Sequence, residues 1–590
     1  MPTWFTRRIV DLFGKLANLY YSRKYGAMAR QLGRPAVSPD DRPGFVLIQI
    51  DGLSHDHLVQ AVAAGHMPYL ESLLAQGDLE LGPWRCGLPS STPAVQAGMM
   101  FGNRFDIPGY RWYEKDRETV ISPRRLDQVR MMYDRVSHGR RGILNGGSCY
   151  VSMFHGEADL ALFTLSTIRS QRFFGSMRGM ALLVLFLLSP LRLLRVLWLA
   201  SVRYLRSLAL RLIALVEPLR KVEREPRVLN PIDVFSPLVY AVGEALFTEV
   251  QTFGVMLDIY RCVPAIYTNY TSYDEVAHKL GPDSAAALRV LRGVDKRIHQ
   301  IDRMRANYRK RDYHLYLVSD HGNSAAVPFS WENSATLGEH LITLLGKEVS
   351  LDERLESHTA MNRTAHYLRE ELHALEETGS PRLRLLTAPA RRFVKQRLKG
   401  DEDIDYDLER QRDVVVSASG SLAHIYFNVS ARALDIIEVV LLYPGLVERL
   451  WSSPGIGAVV GRAGESTVVL GPEGGTLHMG EEPEVVGRPN PLTPFGDEAY
   501  AARQLHRLAH FPHSGDLILL GAIREDGKVV TFEQQVATHG GLGGPQGHPF
   551  IAWPTECQLT PEVLDDAEDL YTHFIRHYHP QGYEKSPAAE

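Results

Sequence analysis

Three short apolar runs constrain the fold of this chain more than any other feature of its sequence. They are GFVLIQID at 44–51, VPAIYTNY at 263–270 and YHLYLVSD at 313–320, and two of the three end in an aspartate. Each run is bounded by turn residues, and patterns typical of helices separate the runs along the chain. This alternation predicts an α/β domain, with a mostly parallel central sheet flanked by helices and active groups at the carboxyl ends of its strands.

The rest of the chain adds strands to this domain and inserts helices into it. Residues 413–428 and 456–471 each predict a hairpin with a glycine-containing turn, and GDLILLGAI near the end of the chain predicts another strand. The sequence therefore predicts a catalytic domain in three segments, at 44–150, 236–345 and 413–590. An N-terminal basic amphipathic helix precedes the first segment at 1–43. A basic and apolar helical insertion at 151–235 and a charged helical insertion at 346–412 separate the three segments.

Composition excludes some classes of protein. The 590 residues are 45% hydrophobic and 23% charged, as in globular proteins, and the net charge of −4 gives no indication of a nucleic-acid partner. The four cysteines are scattered without metal-type spacing, which is typical of a reducing compartment. Charges interrupt the N-terminal stretch before an apolar core of a signal peptide develops, so we expect a cytoplasmic protein.

Two basic amphipathic stretches predict contact with an anionic membrane surface. Residues 1–35 carry seven Lys or Arg residues and one Asp, with apolar residues at helical spacing. In 178–224 the apolar run reaches only Leu191, too short to span a bilayer, and the arginines that follow share one side of a helix. We expect peripheral binding to the inner face of a membrane. The alternatives are a helix packed on the protein's own core for 1–35, and an oligomer interface or a buried helical hairpin for 178–224.

Acidic residues and histidines follow the predicted strands and occupy the loops beyond them. They are Asp51, Asp274, His278, Asp320, His321 and His539, the last in a glycine-rich loop where His548 is a nearby alternative. Asp274 and His278 are four residues apart and share one face if their segment is helical. Mixed carboxylate and imidazole ligands favour zinc, manganese or iron(II) over magnesium or calcium. Six such residues suit two neighbouring metal ions better than one tetrahedral site.

A cluster of hydroxyls, Ser90, Ser91 and Thr92, lies between two prolines in the sequence LPSSTPAVQAG. A hydroxyl beside a bound metal ion loses its proton readily and becomes a competent nucleophile without a histidine base. A rigid turn at the start of a helix would aim one hydroxyl at the metals, and the helix N-terminus would help to hold a phosphate oxygen.

The motifs IQIDGLSHDHL, LPSSTPAVQAG, YDEVAHKLGP, VSDHG and THGGLGG resemble those of the alkaline phosphatase superfamily, most closely its type I phosphodiesterase/nucleotide pyrophosphatase branch. The resemblance implies an alkaline-phosphatase-like fold and two divalent metal ions. Zinc is the first candidate for both ions, and manganese is the alternative. It assigns Asp51, Asp320 and His321 to one metal, and Asp274, His278 and His539 to the other. It selects Thr92, three residues after a proline, as the nucleophile that bridges to the metals and forms a covalent phospho-enzyme.

The chain departs from the family pattern after the hydroxyl cluster. Arg111 occupies the position of an asparagine that helps to hold the phosphoryl oxygen, and Pro108-Gly109 replaces a histidine-glycine pair. Arg111 could bind a more highly charged phosphate bidentately or be structural, which leaves the choice between diester and monoester open.

From these features we predict a two-metal phosphohydrolase, a phosphodiesterase that acts on a membrane-associated phosphate ester. The alternatives are a monoesterase or phosphotransferase of the same superfamily, and a non-catalytic membrane-bound scaffold. A sulfatase is disfavoured because CGLPSST lacks the Cys/Ser-x-Pro-x-Arg element. A soluble phosphoglycerate mutase is disfavoured because it has no use for the basic and apolar insertion.

Overall fold

The computed structural model describes residues 42–167, 198, 201, 236–308, 310–346, 349–354, 413–472, 474–480, 483–487 and 489–579. The N-terminal helix predicted over 1–43, the basic stretch at 178–224 and most of the charged insertion at 346–412 lie outside these residues, apart from a few single positions. No helix within the described ranges is long and apolar enough to cross a lipid bilayer.

The strands are β1 (Gly44–Ile50), β2 (Leu79–Pro83), β3 (Trp112–Glu114), β4 (Thr119–Ile121), β5 (Ser148–Ser152), β6 (Leu160–Thr164), β7 (Ala265–Tyr270), β8 (Tyr313–Val318), β9 (Ser324–Pro328), β10 (Leu351–Arg354), β11 (Val414–Ser419), β12 (Leu422–Phe427), β13 (Ile456–Ala463), β14 (Ser466–Leu470), β15 (Thr476–Met479), β16 (Pro483–Val486), β17 (Leu517–Gly521), β18 (Val529–Thr531), β19 (Ala537–Thr538) and β20 (Phe550–Pro554).

The α-helices are α1 (His55–Ala63), α2 (Pro68–Ala75), α3 (Thr92–Phe101), α4 (Leu126–Ser137), α5 (Ser236–Tyr260), α6 (Ser272–Leu280), α7 (Ala285–Asn307), α8 (Phe329–Asn333), α9 (Leu337–Leu345), α10 (Ile436–Leu442), α11 (Leu446–Trp451), α12 (Glu498–Ala509) and α13 (Ala567–Tyr578). Short 3-10 turns occur at Lys115–Arg117, Leu165–Thr167, Thr493–Phe495, Gly544–Gly547 and Pro561–Val563.

The main sheet has the strand order β2-β20-β8-β1-β7-β5-β6 in the described part of the chain. The neighbours β8, β1, β7, β5 and β6 pair in parallel, whereas β20 runs antiparallel to both β8 and β2. All seven residues of β1 are buried, as is usual for a parallel strand covered on both faces. The prediction of a mostly parallel central sheet flanked by helices is confirmed, and the carboxyl ends of β1, β7 and β8 meet at one edge.

Alternate residues of β1 face two separate layers of core, because successive side chains of a strand point to opposite faces. On one side, Phe45 packs in a cluster that contains Val95 of α3 and Phe574 of α13. On the other side, Val46 packs in a cluster that contains Ile298 of α7. Fully burying one such aliphatic or aromatic side chain contributes about 1.5–3 kcal/mol, so these two layers hold the sheet and α3 in a fixed relation.

Part of the segment that the sequence assigned to the first insertion belongs to this sheet. Residues 151–167 contain the last two residues of β5 and all of β6, which extend the sheet beyond β7. The polar composition of SCYVS in β5 explains why the sequence pattern does not mark it as a buried strand. At the other insertion, β10 pairs in parallel with β11.

A second sheet has the order β10-β11-β12-β17-β13-β14-β15-β16. Both predicted hairpins are confirmed in it, since β11 pairs antiparallel with β12 and β13 pairs antiparallel with β14. Gly420 forms the first turn at φ +67°, and a Cβ there would lie 1.9 Å from the carbonyl oxygen of His539. Only a glycine therefore lets this hairpin approach the loop that carries His539.

Candidate active site

The first group of predicted ligands lies at the carboxyl ends of two adjacent parallel strands. Asp51 follows β1, and Asp320 and His321 come two and three residues after the end of β8. All three side chains are fully buried. Nε2 of His321 lies 3.7 Å from Oδ1 of Asp51 and 3.6 Å from Oδ2 of Asp320. The structure thus brings together the three residues that the resemblance assigns to one metal.

The second group is built on α6 and on the loop after β19. Asp274 and His278 are one helical turn apart, with Oδ1 of Asp274 3.2 Å from Nε2 of His278. The same Oδ1 lies 3.9 Å from Nε2 of His539. The ring of His539 stacks on that of His321 at a centroid distance of 3.7 Å.

The two groups are contiguous, and His321 belongs to both. Ligand atoms of Asp51, Asp320 and His321 lie within 4.8 Å of one another, and so do those of Asp274, His321 and His539. His278 is in contact with Asp274 but is not part of the tighter cluster. The alternative His548 is exposed, with its Nδ1 3.2 Å from the carbonyl oxygen of Gly544, and joins neither cluster.

All three histidines are oriented by backbone carbonyl groups. Nδ1 lies 2.8 Å from the oxygen of Ala537 in His278, 3.0 Å from that of Gly322 in His321, and 2.9 Å from that of Ser90 in His539. A carbonyl oxygen only accepts, so each Nδ1–H donates, and each Nε2 faces carboxylate oxygens. Histidines that bind metals are typically held in this way.

This set of donors fits divalent metal ions. Each Nε2 and the carboxylate oxygen that faces it at 3.2–3.9 Å need positive charge between them, supplied by a proton on the imidazole or by a bound metal ion. In addition, Oδ2 of Asp320 is buried and has no hydrogen-bond partner among the described residues. An orphaned buried carboxylate oxygen is costly in a folded protein, and a bound cation removes that cost.

Two members of the second group, His539 and Asp274, have pKa shifts that suit metal ligands. Burial, reinforced by the nearby His321, holds the pKa of His539 well below its usual value, so its imidazole is neutral. Burial alone would raise the pKa of Asp274, but the surrounding histidines, His278 first, outweigh it and hold the pKa well below its usual range. A neutral imidazole and an ionised carboxylate bind a metal ion without first losing a proton.

Two asparagines that the sequence analysis did not single out support these ligands. Nδ2 of Asn269, at the end of β7, donates to Oδ2 of Asp51 at 2.8 Å. Nδ2 of Asn323 donates to Oδ1 of Asp274 and to the carbonyl oxygen of Gly52, both at 2.9 Å. Their position at or just beyond the ends of the predicted strands was the available signal, since the chain there turns toward the site.

The hydroxyl cluster is placed against the same edge. Thr92 is the first residue of α3, as the sequence predicted for this turn, and its Oγ1 lies 3.2 Å from Nε2 of His321. Ser90 bonds the backbone of the facing loop instead. Its hydroxyl donates to the carbonyl oxygen of Gly541 at 2.8 Å and accepts from the backbone N–H of Gly540 at 3.0 Å. It ties the hydroxyl turn to the loop of His539.

Arg111, the predicted substrate-binding residue, is buried and forms an ion pair. Its Nη2 lies 2.8 Å from Oε1 of Glu533, whose other oxygen accepts a hydrogen bond of 3.0 Å from Gln535. Glu533 and Gln535 line a pocket that opens beside the second ligand group. The full lining is Ser91, Tyr110, His278, Ser419, Gly420, Glu533, Gln535, His539 and Gly540.

A third group of acids with a histidine has a structural explanation. Asp106, Glu114 and His513 have ligand atoms within 4.8 Å of one another. The guanidinium of Arg135 lies 2.6 Å from Oδ2 of Asp106 and 2.9 Å from Oε1 of Glu114. Because a fixed cation already balances these carboxylates, the group forms an ion-pair network and has no need of a metal.

Part of the chain matches a known protein family. Residues 255–423 match the family described as type I phosphodiesterase / nucleotide pyrophosphatase, and the segment contains Asp274, His278, Asp320 and His321. The predicted resemblance is confirmed. The matched segment is the part of the chain in which the sequence motifs predicted a phosphoester hydrolase. None of the curated proteins compared with the chain matches it.

Solved structures found to be similar to this chain include the following two. Phosphonoacetate hydrolase from Sinorhizobium meliloti 1021, in complex with phosphonoformate, is 14% identical over 92% of this chain and 96% of its own, with a TM-score of 0.43. Murine ectonucleotide pyrophosphatase / phosphodiesterase 5, in complex with AMP, is 11% identical over 91% of this chain and 95% of its own, with a TM-score of 0.41.

Proposed function

We propose that this protein is a two-metal phosphodiesterase that cleaves phosphate esters through a covalent intermediate on Thr92. The observation that carries the proposal is the position of the Thr92 hydroxyl, 3.2 Å from Nε2 of His321, the residue that both ligand clusters share. A nucleophile belongs at such a point, where it can reach both metal ions. The family match over 255–423 supports the class of reaction.

The reaction has two displacements. Oγ1 of Thr92 attacks phosphorus and forms a P–O bond while the bond from phosphorus to one ester oxygen breaks, and that oxygen leaves with a proton as an alcohol. Water then attacks the phosphothreonine, the bond between phosphorus and Oγ1 breaks, and a phosphate monoester leaves as the proton returns to Thr92. Thr92 is only 4% exposed, so its hydroxyl is shielded from bulk water.

Asp51, Asp320 and His321 would hold one metal ion, and Asp274, His278 and His539 the other. When bound, the ions would supply positive charge for the phosphoryl oxygens and lower the pKa of the Thr92 hydroxyl. Imidazole and carboxylate donors favour zinc, with manganese as the second choice. The carbonyl bonds at Nδ1 keep each Nε2 directed at this position, so little reorganisation is needed on binding.

The charge balance beside the pocket favours a diester over a monoester. A monoester carries one more negative charge, which an unpaired arginine would stabilise. The guanidinium of Arg111 lies 2.8 Å from Glu533, so the positive charge of Arg111 is already balanced by a carboxylate that lines the pocket. A second anionic charge on the substrate would therefore gain little from Arg111 and would be repelled by Glu533.

The substrate that we propose is membrane-associated, a phospholipid-like phosphate ester at the inner face of a membrane. This part of the proposal rests on the basic amphipathic patterns at 1–35 and 178–224. Flotation with anionic vesicles, comparing the full chain with one that lacks 178–224, tests it. We expect the full chain to float and the shortened chain to float less. If both stay in the soluble fraction, the membrane part of the proposal is wrong and a soluble ester becomes the better candidate.

The reaction itself is tested with bis-p-nitrophenyl phosphate and p-nitrophenyl phosphate side by side, in defined zinc or manganese. We expect preferential cleavage of the diester, and loss of at least about 1,000-fold in kcat for Thr92→Ala, because removal of a nucleophile abolishes the covalent route. Thr92→Ser, which keeps the hydroxyl, is the matched control and should retain measurable turnover. Cleavage of the monoester alone would favour a monoesterase, and no cleavage by the metal-loaded protein would favour a non-catalytic scaffold.

A further inference from the structure

In the hydroxyl cluster of Ser90, Ser91 and Thr92, two of the three side chains have neighbours that explain their positions. Ser90 bonds Gly540 and Gly541 of the facing loop, and Thr92 lies beside His321. Ser91, between them, lacks such a partner. Its side chain is fully buried, and its hydroxyl has no hydrogen-bond partner among the described residues.

The lack of a partner for Ser91 is unexpected from its place in the fold. Ser91 occupies the N-cap position of α3 with an extended backbone, φ −133° and ψ 146°, where a serine hydroxyl usually accepts from the first turn of the helix. Here the side chain makes no capping bond. A buried hydroxyl that neither caps a helix nor bonds another group destabilises the folded protein, and such a group calls for a role outside the fold.

The surroundings of Ser91 indicate that role. Ser91 lines the pocket together with His278 and His539, and it precedes Thr92, so their Cα atoms are about 3.8 Å apart. A phosphoryl group bonded to Oγ1 of Thr92 would therefore lie next to Ser91 and the pocket that Ser91 lines. The guanidinium of Arg111 is engaged by Glu533, which leaves a need for a neutral donor to the non-bridging oxygens of that group.

We infer that Ser91 is a substrate-binding residue whose hydroxyl donates a hydrogen bond to a non-bridging oxygen of the phosphoryl group. The inference rests on the proposed function, because it places the phosphoryl group beside Thr92. It adds a specific contact from this chain to the substrate, made by a neutral group, in keeping with a singly charged diester.

The test measures binding of inorganic phosphate to the metal-loaded full chain by calorimetry, since this readout does not depend on turnover. For Ser91→Ala we expect the Kd of phosphate to rise about 10- to 100-fold, the usual range for loss of a hydrogen bond to a charged group. The metal content should stay that of the wild type. The Tm without phosphate should not fall, because the substitution removes a hydroxyl that contributes no bond to the fold.

Ser514→Ala is the matched control. Ser514 is also buried, and its hydroxyl donates to the carbonyl oxygen of Leu508, away from the residues that line the pocket. This variant should lower the Tm and leave the Kd of phosphate unchanged. If Ser91→Ala does not fold, Ser91→Cys keeps the size of the side chain with a weaker donor and should weaken phosphate binding in the same direction.

The outcomes separate this inference from the proposed function. Equal phosphate affinity in the wild type, Ser91→Ala and Ser91→Cys would overturn the role of Ser91, and so would absence of phosphate binding by the wild type. A wild type that cleaves the diester while Ser91 proves indifferent would leave the proposed function standing. A wild type that cleaves no ester but binds phosphate through Ser91 would overturn the proposed function and support the inference.

Discussion

Asn269 donates a hydrogen bond of 2.8 Å to Oδ2 of Asp51, and this bond joins the ends of two neighbouring parallel strands at the site. It fixes the orientation of a carboxylate that is fully buried. We expect Asn269→Ala to lower the affinity for zinc about 10- to 100-fold, as loss of a bond to a metal ligand typically does. Isothermal titration with zinc measures this. Asn145→Ala, which removes an amide bound to the carboxylate of Glu157, should leave the zinc affinity unchanged.

Metal removal should affect stability as well as activity, because Asp51, Asp274 and Asp320 form a buried acidic group. A metal ion at 100 times its Kd stabilises the folded state by about 2.7 kcal/mol per site. We therefore expect EDTA to lower the Tm of the wild type by several degrees, measured by calorimetry. His321→Ala should show a much smaller EDTA effect, because His321 belongs to both clusters. An unchanged Tm in the wild type would contradict a metal site here.

Local sequence patterns predicted many of the residues of this site. Asp51 and Asp320 end apolar runs, and the ends of parallel strands meet at one sheet edge whatever the rest of the fold. Thr92 begins a helix directly after a constrained turn, as proline on either side of the hydroxyls indicates. These patterns identified Asp51, Asp320 and the hydroxyl cluster as candidates, and the resemblance to the family selected Thr92 within the cluster.

Contacts between side chains that are far apart along the chain could not be predicted from local sequence patterns. Arg111 and Glu533 are 422 positions apart, and nothing in either local sequence indicates that a carboxylate balances the arginine. The two bonds of Ser90 also reach across the chain, and they distinguish it from the adjacent Ser91. The last two residues of β5 and all of β6 were assigned to an insertion because the contacts that make these strands come from β7 and from each other.

His513 links stability to pH through the ion-pair network at Asp106. Its Nδ1 lies 2.6 Å from Oδ2 of Asp106, its Nε2 lies 3.2 Å from Asp116, and Glu114 and Arg135 complete the surroundings. Burial would lower the pKa of His513, but the bond and charge of Asp106 outweigh it, so the pKa is raised above its usual value.

Because the folded-state pKa is raised, the protonated His513 contributes stability that is fully present below the unfolded pKa of about 6.5 and is lost as the pH rises through the folded value. We expect His513→Gln to destabilise the protein by about 1 kcal/mol at pH 6 and by less at pH 9. Urea unfolding of both proteins at the two pH values measures this difference. An equal difference at both values would show that the charge of His513 has no part in it.

Gly420 and Gly464 form the turns of the two hairpins with similar backbone angles, φ +67° and +63°, but only the first turn approaches the site. A Cβ at Gly420 would lie 1.9 Å from the oxygen of His539, whereas a Cβ at Gly464 would have no atom within 4 Å. Both alanine substitutions carry the cost of a positive φ, about 1–2 kcal/mol.

Gly420→Ala must in addition displace the loop of His539, since the neighbouring atom is backbone. We expect it to destabilise the protein by at least about 1 kcal/mol more than Gly464→Ala and to lower zinc affinity, whereas Gly464→Ala should leave zinc affinity unchanged. Urea unfolding and zinc titration of both variants test this. Equal zinc affinities would mean that the loop adapts without moving His539, and the hairpin would then support the fold but not the site.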